Sequence, residues 1–116
     1  MTDVLILGGY GVFGGKLARR LVAAGLDVVI AGRSLEKASA FCATNGGSPL
    51  ALDRQGDLDR AFAELKPAVV IDAAGPFQAY GDAPYRVARA AIRAGAHYLD
   101  LADDADFVAG ISALDA

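Results

Sequence analysis

Five short apolar runs recur along the 116 residues, each too brief for a helix: Asp3–Gly8 (DVLILG), Asp27–Gly32 (DVVIAG), Ser48–Asp53 (SPLALD), Ala68–Gly75 (AVVIDAAG) and His97–Ala102 (HYLDLA). Runs of this length closed by glycine or a turn residue suit parallel strands covered on both faces. Between them the apolar residues fall at helical spacing: Phe13, Leu17 and Leu21, then Leu35 to Ala43, then Leu58, Phe62 and Leu65, then Tyr85, Ala88 and Ile92. Strand and helix alternate with connections of only a few residues. Right-handed crossovers then predict an α/β fold with a doubly wound parallel sheet, its five strands in the order 3-2-1-4-5.

The punctuation agrees with these boundaries. Gly25 and Gly95 stand where a left-handed residue closes the first and fourth helices, and Ser34 and Asp82 stand at N-cap positions. Pro84 falls in a first helical turn, where a missing N–H costs nothing. A fifth helix, Asp104 to Leu114, starts near the end with no sixth strand after it. The expectation is a single domain over residues 1–116, forming the N-terminal part of a longer two-domain protein.

The composition restricts partners more than fold. With 54% hydrophobic residues the chain can fill a core, and a formal net charge of −3 argues against the basic faces that nucleic acid or an anionic membrane surface attracts. No run approaches the roughly 18 apolar residues of a membrane span. Cys42 is the single cysteine, which leaves no intramolecular disulfide and fits a reducing, cytoplasmic setting.

The first strand leads into five glycines within eight residues, Gly8, Gly9, Gly11, Gly14 and Gly15. Gly9, Gly11 and Gly14 make GxGxxG in the context the pattern requires, after a strand and opening a helix. The first glycine permits the tight bend, the second lets backbone approach a pyrophosphate, and the third lets helix and strand pack closely. The anion would sit on free N–H groups at the helix N-terminus, between Tyr10, Val12 and Phe13. A glycine-rich packing turn is the competing reading. In this position the pattern favours a Rossmann-like dinucleotide-binding domain.

Roughly 20 residues further on, an acid at the end of the second strand would grip the ribose hydroxyls of NAD. The sequence instead has Gly32, Arg33 and Ser34, with no acid before Glu36. A guanidinium can hold a 2′-phosphate that a carboxylate would repel, so NADP is expected over NAD. Asp53 ends the third strand, where it could accept from an adenine amino group or serve equally as a turn residue. Ala74, Gly75 and Pro76 follow the fourth strand at the topological switch, with small residues suited to a nicotinamide ribose.

Other candidates carry less. Asp72 lies in a buried strand, where an acid needs partners. Tyr98 and Asp100 share one face of the fifth strand near its carboxyl end and are weak catalytic candidates. His97 reads as structural, and Asp103, Asp104 and Asp106 read as a helix N-terminus rather than a metal site. Arg86, Arg89 and Arg93 read as a solvated helix face. A short-chain dehydrogenase would carry a Tyr followed four residues later by Lys, which none of the four tyrosines has.

Taken together, VLILGGYGVFG, VVIAGRSLEKA, VVIDAAGPF and AGAHYLDLADD, in this order, resemble the N-terminal NADP-binding domain of the saccharopine dehydrogenase-like family. The resemblance covers nearly the whole chain. It implies an oxidoreductase that passes hydride between NADP and the carbon of a C–N bond, with a later domain binding most of the small-molecule substrate. It assigns Gly9 to Gly14 to the pyrophosphate, Arg33 and Ser34 to the 2′-phosphate, and Ala74 to Pro76 to the nicotinamide ribose. Tyr98 and Asp100 fall in the segment that borders substrate. The domain alone is expected to be inactive, and a homodimer is one expected assembly. A non-catalytic NADP-binding redox sensor is the alternative function.

Overall fold

Leu5 and Leu7 alternate with Val4 and Ile6, and all four are buried, which demands cover on both faces of the strand they form. The computed structural model describes residues 2–53, 56–73 and 86–100 and supplies that cover. Its elements run β1 (Val4–Leu7), α1 (Val12–Ala23), β2 (Val28–Gly32), α2 (Leu35–Asn45), β3 (Ser48–Ala51), α3 (Leu58–Leu65), β4 (Val69–Asp72), α4 (Arg86–Arg93) and β5 (His97–Asp100). The strands form one parallel sheet in the order β3-β2-β1-β4-β5, as the alternation predicts. The expected fifth helix, Asp82 and Pro84 lie outside the described residues.

Two apolar layers flank the sheet. Leu5, Leu7, Val29, Ala31 and Val70 meet Leu58 and Phe62 of α3 and Val87, Ala90 and Ala91 of α4. On the opposite face Val4, Ile6, Val28, Ile30 and Ile71 meet Ala18 of α1, with Phe41 and Cys42 of α2 packed alongside. The register pairs Leu7 with Ala31 on one side and with Asp72 on the other, so the carboxyl ends of β1, β2 and β4 lie level. That level edge positions the site.

The strands β1 to β4 are shorter than their apolar runs, and the outer strands β3 and β5 are barer than a fully covered strand should be. Ser48, Pro49 and Ala51 of β3 are exposed, and Pro49 is tolerated because β3 is an edge strand. Leu99 on the other edge is 58% exposed. Of the spaced residues Tyr85, Ala88 and Ile92, Ala88 faces inward, Ile92 does not, and Tyr85 lies outside the described residues. The buried residues of α4 are Val87, Ala88, Ala90 and Ala91, and Ile92 is 45% exposed. Small side chains here let the helix lie close to its neighbours, and volume alone does not reveal that face in a sequence.

Of the arginines of α4, Arg86 and Arg93 are not merely solvated. Nη2 of Arg86 donates to the Gly56 carbonyl at 2.7 Å, and Arg93 holds Asp59 of α3 through two bonds of 3.0 and 3.2 Å.

Candidate functional site

The glycine turn begins with a backbone requirement. Gly8 has φ +78°, a conformation that costs a side-chain-bearing residue about 1–2 kcal/mol, and it swings the chain up from β1. Its N–H still donates to the Ala31 carbonyl at 2.8 Å, and its own carbonyl accepts from Gly11 at 3.0 Å. The first helical bond then runs from Gly15 N–H to the Gly11 carbonyl at 2.7 Å. The N–H groups of Val12, Phe13 and Gly14 therefore precede any intrahelical acceptor. Gly11 is the N-cap and offers no side chain, and the first turn of α1 holds no acid. An uncapped, unneutralised helix start of this kind draws an anion.

The three glycines of the motif have different neighbours. A Cβ on Gly9 would press within 2.9 Å of the Ile30 side chain, and one on Gly14 would strike the Gly8 carbonyl oxygen and come within 3.0 Å of the Ala73 Cβ. Those two are held by packing inside the protein. Gly11 is exposed, and its Cβ would meet only the Gly8 oxygen at 3.3 Å. Space above Gly11 opens toward solvent, where a bound group could approach the backbone.

Ala73 donates its N–H to the Leu7 carbonyl at 2.8 Å, which brings the exit of β4 against the glycine turn. Ala74, Gly75 and Pro76 continue from there and lie outside the described residues. On the other side of β1, Arg33 is exposed in the turn after β2. Ser34 caps α2, its Oγ accepting from Lys37 N–H at 3.2 Å. Asp53 stands exposed beyond β3, beside the same edge, where Leu52 N–H still donates to the Gly32 carbonyl at 2.8 Å.

Tyr10 joins these pieces in a way its position in the motif does not announce. Its ring lies directly over the α-carbon of Gly32, so close that a Cβ there would fall 2.6 Å from Cζ and closer still to Cε1 and the hydroxyl. The hydroxyl accepts from Ser34 N–H at 3.4 Å, and the ring packs on the core layer of α1 and α2. A glycine closing an otherwise apolar strand was the available signal, since such a glycine marks a close approach.

Tyr98 and Asp72 come together on the α3 and α4 side of the sheet. Asp72 is fully buried, and the Tyr98 hydroxyl donates to its Oδ2 at 3.4 Å. Asp100 is opposite Asp72 in the β4–β5 register, whereas His97 is exposed at the amino end of β5, away from the glycine turn. Among the described residues no three His, Cys, Asp or Glu side chains are grouped to hold a metal, and no helix is long and apolar enough to cross a membrane.

The family model for the saccharopine dehydrogenase NADP-binding domain matches residues 4–111. The chain belongs to this family. Of solved structures, apo saccharopine dehydrogenase (L-Glu forming) from Saccharomyces cerevisiae is similar with a TM-score of 0.71 and 24% identity, over 96% of this chain and 24% of that one. The TrkA-N domain of inner membrane protein ybaL from Escherichia coli gives 0.74 and 20% identity over 97% and 81%. UDP-glucose 4-epimerase from Thermus thermophilus, in complex with NAD, gives 0.65 and 22% over 84% and 36%. At these identities the likeness is one of fold. The chain spans about a quarter of the length of the yeast dehydrogenase. No curated protein sequence matches it.

Proposed function

We propose that this chain is the NADP-binding domain of a two-domain oxidoreductase, residues 1–116 holding the cofactor and a further domain binding most of a small-molecule substrate. The observation that carries this is the start of α1, uncapped by any side chain and preceded by the exposed Gly11, lying level with Arg33 and Ser34 at the end of β2. The first of these suits a pyrophosphate and the second a 2′-phosphate. The adenine would lie toward Asp53 and the nicotinamide ribose toward Ala74, Gly75 and Pro76.

When bound, NADP would supply a hydride acceptor or, reduced, a donor for a carbon of a C–N bond. The residues of this chain would bind and orient it. The N–H groups of Val12, Phe13 and Gly14 would meet the pyrophosphate, and the fixed glycine turn would hold that anchor in place. Arg33 would neutralise the 2′-phosphate. Tyr98, held on Asp72, would border the reacting end. The chain by itself is expected to show no turnover, and its lone thiol suits a reducing cytoplasm.

The test is titration with NADPH and NADH followed by nicotinamide fluorescence, which the absence of tryptophan leaves clear of indole emission. NADPH should bind about 10- to 100-fold tighter, the worth of one charge-assisted hydrogen bond of roughly 1.5–3 kcal/mol. Equal binding, or none, would count against the proposal.

A non-catalytic redox sensor is the second reading, favoured by the near-complete overlap with the TrkA-N domain of a membrane protein. The reading frame beyond residue 116 separates the two. A substrate-sized α/β domain supports the enzyme, and a channel-binding or DNA-binding module supports the sensor. Sedimentation of the chain alone would decide whether it forms a homodimer.

A further inference from the structure

We propose that Tyr10 and Gly32 together set the dinucleotide preference of this domain, the tyrosine ring filling the place from which an acid at the end of β2 would reach a ribose. The inference rests on the NADP reading above and names the residues that enforce it. An NAD site needs a carboxylate at the end of the second strand, within reach of the ribose 2′-hydroxyl. The last residue of β2 here is Gly32. Its missing side chain is not idle space, because the Tyr10 ring covers the α-carbon and a Cβ would collide with Cζ, Cε1 and the hydroxyl.

The ring is held from three sides. Its backbone belongs to the glycine turn, fixed by the Gly8 and Gly11 hydrogen bonds, its body rests on the apolar layer of α1 and α2, and its hydroxyl accepts from Ser34 N–H. An acid at position 32 must therefore displace an anchored ring before its own carboxylate can project. Both changes cost binding. The arrangement acts by exclusion: it keeps a carboxylate away from the place where Arg33 is to meet a phosphate, and discrimination built on excluding the competitor is as effective as added attraction. It also ties the turn that would hold the pyrophosphate to the cap of α2. Tyr10 is in this sense a positioning residue, acting through the strand end and not on the reacting atoms.

The experiment compares Gly32→Asp, Tyr10→Phe/Gly32→Asp and Tyr10→Ala/Gly32→Asp with the unaltered chain, each titrated with NADPH and NADH and checked for folding by far-UV circular dichroism. The first two keep the ring and should lose affinity for both dinucleotides. Removing the ring should let the new carboxylate reach the ribose, so Tyr10→Ala/Gly32→Asp should bind NADH about tenfold tighter than Gly32→Asp and reverse the NADPH preference. The proposal is overturned if Gly32→Asp alone gains as much NADH affinity as the ring-less variant. It is equally overturned if the folded ring-less variant keeps the original ratio. Should the aspartate variants not fold, Gly32→Ala supplies the same contrast: it should weaken NADPH about tenfold by displacing the ring, and Tyr10→Ala/Gly32→Ala should recover it. Equal weakening in both overturns the proposal. If the unaltered chain shows no NADPH preference, the NADP reading falls and this inference with it; if the preference is present and these contrasts fail, only this inference falls.

Discussion

A methyl group added to Gly14 and one added to Gly11 meet different surroundings, and the two substitutions should part company in the same way. At Gly14 the methyl strikes the Gly8 carbonyl and crowds Ala73, with no flexible side chain to yield, so Gly14→Ala should cost on the order of 3 kcal/mol in urea denaturation. At Gly11 the site is exposed and φ is an ordinary −77°, so Gly11→Ala should cost about 1 kcal/mol or less while still weakening dinucleotide binding. The GxGxxG spacing made both glycines visible in the sequence. It could not say which one serves packing and which leaves open space, because that depends in part on Ala73, far along the chain. Tyr10 was legible only as a member of the turn; its partner Gly32 lies 22 residues away and looks like any strand-ending glycine. Burial pushes the Cys42 thiol above its ordinary value. The folded chain therefore holds less thiolate than the unfolded one, and any contribution to stability is present at neutral pH and fades as pH rises through the thiol range. Alkylation of Cys42 should accordingly be slow at neutral pH and quicken when urea unfolds the chain.

At the scale of elements, helix ends were easier to foresee than helix faces. Ser34 was legible as a cap because a hydroxyl before an apolar periodic run has few other uses, and Gly25 and Gly95 do adopt positive φ, +87° and +77°. The cap of α3 is Asp57, whose Oδ1 accepts from Arg60 N–H at 3.1 Å. Ile92 of α4 lies off the buried face that its spacing suggests, since that contact surface is built mostly from alanines. Asp57→Ala should lose about 1 kcal/mol of stability with dinucleotide affinity unchanged, because its carboxylate is engaged by the Arg60 N–H and Asp57 is not among the residues proposed to hold the dinucleotide. Ser34→Ala should lose a similar amount and weaken NADPH as well, which separates a cap that only holds a helix from one that also borders the proposed site. The end of α3 supplies a complementary case. Lys66 closes it with φ +49°, a left-handed position that glycine takes without strain. Lys66→Gly should raise the urea midpoint by an amount equivalent to about 1 kcal/mol, less the extra entropy the glycine gives the unfolded chain.

For the whole molecule, the alternation of strands and helices foretold the sheet order because parallel neighbours need crossovers and crossovers have one hand. The bareness of β3 did not follow from it, since burial of an edge strand depends on what lies beside it rather than on its own apolar content. The same topology sets how a bound dinucleotide would act on stability. Its pyrophosphate would rest on the β1–α1 turn and its 2′-phosphate on the β2–α2 turn, two units that meet through the pairing of Val4–Leu7 with Val28–Ala31. A ligand spanning both stabilises the folded state by mass action, about 2.7 kcal/mol at a free concentration 100 times its dissociation constant. For a domain of this size that is a rise of roughly 10 °C in the unfolding midpoint. NADPH should therefore raise the midpoint more than NADH at equal concentration. Arg33→Asp should remove most of the NADPH increment and leave the smaller NADH increment in place, because on the proposed reading the substituted charge would lie beside the 2′-phosphate and not beside the pyrophosphate. If both increments fall together, Arg33 supports the turn as a whole; if neither falls, another cation near the start of α2, with Lys37 the nearest in sequence, holds the phosphate.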